Sequence, residues 1–194
     1  MRNYFISEQA IKDTTVLNEN VDPKLIAPGI IEAQDIHIQE ILGSHLYDKI
    51  DSLIPSGNIS LPANAVYKTL LDSYIQPALK YYTLAELVLP MSIKLMNKSI
   101  ATRSSDNAQP LSPDDFGLVR ETFMNKAQFY ATRLINYLID NRTSYPEYLD
   151  TPVTTDVYSR ITPKSNAYKT AMYLGGDDCN TCLPEFNKRW IRNI

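Results

Sequence analysis

The sequence predicts a mainly α protein: a small helical bundle of about four to five helices, a short β-hairpin and a long extended C-terminal arm. Three observations predict it. Apolar residues recur at spacings of three and four over most of residues 22–141. Helix starts and stops punctuate that stretch at Asp22-Pro23, Gly43, Pro55 and Ser112-Pro113. From Ser144 onward the periodicity fails, although aromatic residues continue. The expected organisation is an N-terminal lead over 1–21, a helical core over 22–143 and an arm over 144–194 that docks on partners.

The lead is short and polar, and Asn18, Glu19 and Asn20 mark a turn. Asp22 can cap the first helix, with Pro23 in the first position, where no backbone N–H is needed. Ile26, Ile30, Ala33, His37 and Ile41 form its stripe, Ile31, Ile38 and Leu42 widen it, and Gly43 is expected to end it. Ser44 can cap a short second helix with Leu46, Tyr47, Ile50, Leu53 and Ile54 on one face, stopped by Pro55-Ser56-Gly57-Asn58. A third helix should run from about Asn64 to Leu89, with Tyr67, Leu71, Tyr74, Ala78, Tyr82, Ala85 and Leu89 facing inward. Pro77 predicts a kink or break inside it, and Pro90 its close.

Residues 91–105 alternate in the manner of a small hairpin turning at Asn97-Lys98, although the usual turn glycine is missing. Ser112-Pro113-Asp114-Asp115 is the strongest helix start in the chain. It supplies a cap, a proline at the first position and two carboxylates at the positive end of the helix dipole. Phe116, Val119, Phe123, Ala127, Tyr130, Leu134 and Leu138 then mark one face. Glu121, Asn125, Gln128, Thr132, Asn136 and Asp140 mark the other, to an end near Asn141.

The arm holds Tyr145, Tyr148, Tyr158, Tyr168, Tyr173, Phe186 and Trp190 among several prolines. Aromatics at that density, without local periodicity, predict a segment that becomes ordered on a partner. Phe186 and Trp190 are four apart and would share one side of a short helix, to which Lys188, Arg189 and Arg192 would give positive charge. The expected partner contacts are therefore Tyr145, Tyr148, Phe186, Arg189 and Trp190.

Composition narrows the function. Apolar residues make up 44%, enough for a core, and the formal net charge of -3 argues against a general nucleic-acid binder. The N-terminus carries no secretory h-region, and no apolar stretch is long enough to span a membrane. Production in the cytosol and no membrane partner are the expectation. No phosphate loop, dinucleotide fingerprint, zincin helix or nucleophile elbow occurs, so the chain is expected not to be an enzyme and to need no cofactor. His37, on an apolar stripe, reads as a packed or interface histidine. Cys179 and Cys182 form a lone C-x-x-C without a second ligand pair, so free thiols are expected; a redox pair or a shared metal site is the alternative. Lys94, Lys98 and Arg103 cluster on the hairpin as solvated charges, or as contacts to DNA or an acidic neighbour.

The stretch from Leu25 through Ala33-Gln34-Asp35, followed by Ile41-Leu42-Gly43-Ser44-His45-Leu46-Tyr47, resembles the opening of a bacteriophage family. These are the helical head–tail connector, or adaptor, ring proteins of crAss-like and other Bacteroides-type phages. Tyr74-Ile75-Gln76-Pro77-Ala78-Leu79, Asn97-Lys98-Ser99 and the run from Lys126 to Leu138 are similar to that family as well, in the same order, so the resemblance spans about residues 22–148. It implies a virion protein at the head–tail junction: a closed ring of commonly about twelve copies, seated on the portal protein, followed by the next ring or tail protein, with a channel for genomic DNA. Another neck or tail-completion (stopper) protein is the alternative within the same class.

Overall fold

Asp22 caps a helix as its sequence predicts. Its Oδ1 accepts the Lys24 N–H at 3.0 Å, and Pro23 takes the first helical position. The computed structural model describes residues 3–96, 99–102, 113–149 and 161–163. Within them the elements run α1 (Glu8–Thr14), α2 (Pro23–Ala33), α3 (Gln39–Leu53), α4 (Ala65–Leu70), α5 (Gln76–Ser92), β1 (Ile93–Met96), β2 (Ser99–Thr102), α6 (Pro113–Asp140) and α7 (Pro146–Leu149). The chain is mainly helical, a small bundle. β1 and β2 form an antiparallel hairpin in which Ile93 faces Thr102 and Met96 faces Ser99.

Two π-helical turns join consecutive helices. Gln34–Ile38 links α2 to α3, and Leu71–Ile75 links α4 to α5. A π turn adds one residue to the helical repeat and so shifts the buried face. After Ala33 the next core residue is Ile38, five positions on, while His37 is only half-buried. The second π turn lies directly before Pro77. It reshapes the turn that the proline ring would otherwise crowd, so the predicted kink takes this form. Pro90 does not close α5, which continues to Ser92.

Gly43 breaks the backbone inside α3, with φ 74° and ψ 160°, a conformation open essentially to glycine alone. Residues 161–163 fill the break. Ser44 donates its N–H to Ile161 O and accepts the Ile161 N–H on Oγ, each at 3.0 Å, so its hydroxyl serves a distant segment and not the helix start predicted for it. A Cβ on Gly43 would meet the Pro163 ring at 2.7 Å.

The expected polar lead is part of the core. Phe5, Ile6 and Ile11 are buried. Gln34, buried in the first π turn, accepts the Phe5 N–H at 3.0 Å and donates to Asn3 O at 3.0 Å and Tyr47 Oη at 2.9 Å. Its amide thus has the partners that burial demands. Gln76 donates to Phe5 O at 3.0 Å from α5.

The boundary expected at residue 143 is also corrected. Tyr145 is 0% exposed and Tyr148 is 3% exposed, both within the hydrophobic core. α7 packs against α3. Tyr145 Oη donates to Val66 O at 3.1 Å and lies 3.2 Å from Tyr137 Oη. Tyr67 Oη donates to Glu147 Oε2 at 2.9 Å. The two tyrosines expected at a partner contact are therefore internal anchors, and the hydroxyl partners of Tyr145 inside the bundle make its burial tolerable.

Antiparallel α5 and α6 form the central pair. Tyr81 stacks on Tyr130 at 5.5 Å, and Tyr74 of the second π turn stacks on Tyr137 at 3.8 Å; each step is seven residues, two helical turns. Ala127, Ala131, Leu134, Ile135 and Leu138 of α6 are buried beneath them. Tyr130, expected in the interior, is half-buried. Leu89, expected to face inward, is 57% exposed.

Candidate functional site

α6 runs for 28 residues, roughly 42 Å at 1.5 Å per residue. Its inner side is held by α5, while the side carrying Thr122, Asn125, Gln128, Thr132 and Asn136 is exposed. Two large apolar residues stand on that exposed side: Phe129, 67% exposed, and Leu118, 65% exposed. Phe129 borders a shallow trough of about 650 Å³ with Tyr74, Asn125, Thr132, Arg133 and Tyr137. Lys126 and Arg133, three positions before and four after Phe129, lie on the same side of the helix. Both cations have aromatic neighbours: Lys126 Nζ lies 5.9 Å from the Phe123 ring centroid, and the Arg133 guanidinium 5.2 Å from that of Tyr74.

Where the end of α5 meets the start of α6, a mainly apolar cleft of about 470 Å³ opens. Ala85, Val88, Leu89, Pro90, Phe116 and Gly117 line it, with Glu32, Glu86 and Arg120 at its polar edge. Glu86 ties this edge together. Its Oε1 lies 3.0 Å from His37 Nε2 and 3.2 Å from Arg120 Nη2. His37 also stacks on Tyr82, ring centroids 4.1 Å apart and nearly parallel. The predicted packed histidine thus joins the first π turn, α5 and α6. Burial, then the nearby Glu40 carboxylate, pushes the Tyr82 hydroxyl pKa up. Among the described residues no group of three or more His, Cys, Asp or Glu side chains is placed to hold a metal ion.

The sequence-predicted site residues divide sharply. Tyr145 and Tyr148 are core residues. Lys94 falls on β1, opposite Ala101. Lys98, Arg103, Cys179, Cys182, Phe186, Arg189 and Trp190 lie outside the described residues. The exposed apolar pair on α6 was missed, although its signal is visible: Leu118 and Phe129 interrupt an otherwise polar helix face.

A family model matches residues 38–157, more than half of the chain. The chain belongs to the family of unknown function DUF6712. The DUF6712 match runs from the end of the first π turn past α7, so it takes in Tyr145 and Tyr148 with the helices they anchor. It also includes Leu89, Phe116 and Phe129, while Glu32 precedes it. No curated protein and no solved structure matches the chain.

Proposed function

We propose that this protein is a non-enzymatic ring subunit of the head–tail junction of a tailed bacteriophage, a connector that joins the portal to the tail around a DNA channel. The observation that carries the reading is α6: a long helix covered on one side only, with Phe129 and Leu118 standing exposed on the other. Two large apolar side chains on one polar helix face, about three turns apart, offer anchors to a partner lying along that helix. A ring forms when one surface of a subunit meets a different surface of the next and the rotation closes. The ordered similarity over residues 22–148 supports the same reading, because it falls on the packed helices. In this proposal the partners are further copies of the chain, the portal protein, the next ring or tail protein, and genomic DNA in passage. Phe186, Arg189 and Trp190 serve attachment, and Lys94, Lys98 and Arg103 face DNA or an acidic neighbour.

Electron microscopy of purified particles, with mass spectrometry of their proteins, tests the proposal. The expected result is this chain in fixed stoichiometry as a ring beneath the portal. Its absence from particles, with only a monomer in the cytosol, overturns it. Zinc analysis and thiol titration test the rival use of Cys179 and Cys182. Unchanged assembly when both are replaced by serine removes that rival.

A further inference from the structure

We infer that Phe129 of one copy seats in the cleft between Leu89 and Phe116 of the next copy, as the repeating contact of a head-to-tail assembly. The inference rests on the ring reading above and names the surfaces that would make the ring. Arg120, at the cleft, and Phe129 are nine positions apart on α6, about two and a half turns. They therefore lie on opposite sides of the same helix. A projecting ring on one side and an apolar recess on the other cannot satisfy each other within one molecule. They can do so between molecules related by rotation, which is the heterologous geometry of a closed ring.

Size and charge both favour this occupant. The cleft of about 470 Å³ is lined chiefly by aliphatic carbon, with Phe116 and Pro90 as flat walls. It has room for an aromatic side chain. At the polar edge of the cleft Glu86 is already paired with Arg120 and His37, which leaves the exposed Glu32 as its uncompensated acid. Phe129 is flanked by Lys126 and Arg133. Seating the ring brings Lys126 and Arg133 toward the Glu32 carboxylate, a contact of opposite charges that favours one register. An isologous contact of Phe129 with Phe129 would instead set Lys126 and Arg133 against their own copies.

Cross-linking gives the test. In full-length protein carrying Cys179→Ser and Cys182→Ser, with Phe129 and Leu89 kept, Gly117→Cys beside the cleft and Thr132→Cys beside Phe129 are combined and treated with a short bifunctional maleimide. The expected product is a ladder of covalent multimers, absent from either single-cysteine variant beyond the dimer. Phe129→Asp, at an exposed position, should keep the helical circular dichroism and melting of the parent. It should weaken association by roughly 30-fold or more in sedimentation velocity. Glu32→Lys should weaken association, and adding Lys126→Glu should restore part of it. Multimers that form without a 117–132 ladder, or association unchanged by Phe129→Asp, overturn this contact and leave the ring reading standing. A chain that neither associates nor cross-links at any concentration also overturns it. Absence from purified particles strikes the ring reading itself.

Discussion

Tyr67 shows how much a single hydroxyl can hold. Burial first, and then its hydrogen bond to Glu147, push its pKa up from 10.0 to about 12. The neutral phenol is thus favoured in the folded state. Its contribution is fully present below pH 10.0 and is lost as pH rises through about 12. Burial moves Tyr82, Tyr145 and Tyr148 in the same direction. The protein should therefore lose stability steeply on alkaline titration above pH 10.0, and Tyr67→Phe should flatten that fall, as read by urea midpoints at stepped pH. A second residue-scale prediction concerns Gly43. Alanine there faces both the positive φ and the Pro163 ring at 2.7 Å. Gly43→Ala should cost about 1–3 kcal/mol in denaturant unfolding, and wild-type stability would show that the break relaxes freely.

At the scale of elements, α6 was almost fully legible. Ser112-Pro113-Asp114-Asp115 announces its start, its last residue is Asp140, and Leu134 and Leu138 are buried as the stripe predicts. Leu134→Ala should cost about 2–5 kcal/mol in urea unfolding. The hairpin was legible from alternation alone, despite Ser99 in the place of a glycine. Other elements were hidden for physical reasons. α1 has seven residues, too few to establish a stripe, and Ile11 is its one buried residue. The π turns shift the helical phase by one residue, so His37, expected at the centre of the stripe, is only half-buried, while Ile38, expected at its edge, is in the core. α7 is a single turn after a proline, and aromatics there read equally well as interface or as core. A chain ending at Thr143 lacks Tyr145 and Tyr148. It should melt lower by roughly 10 °C. An unchanged melting temperature would restore the shorter boundary.

Across the whole molecule, the legible and the illegible separate by range. Local signals found the helices, whereas the candidate contact surface needed the packing, since only the packing reveals that Phe129 is left bare and that Leu89 opens a recess. Thiol, cation and aromatic candidates near the C-terminus stay at the level of sequence, because they lie outside the described residues. Their role has its own test. Deleting residues 180–194 should leave the melting of the bundle unchanged and weaken binding to a portal protein in co-sedimentation. Equal binding by the truncated chain would remove Phe186, Arg189 and Trp190 from the attachment surface.

The stacked tyrosines along the α5–α6 seam also make the protein its own optical instrument. Paired phenol rings held nearly parallel at 3.8 Å and 5.5 Å couple their electronic transitions, so their near-ultraviolet circular dichroism exists only while the seam is closed. The chain's one tryptophan, Trp190, lies far along the sequence from these pairs. Tyrosine dichroism therefore follows the bundle while tryptophan emission reports the surroundings of Trp190, and the two can be recorded on one unlabelled sample as the protein is unfolded.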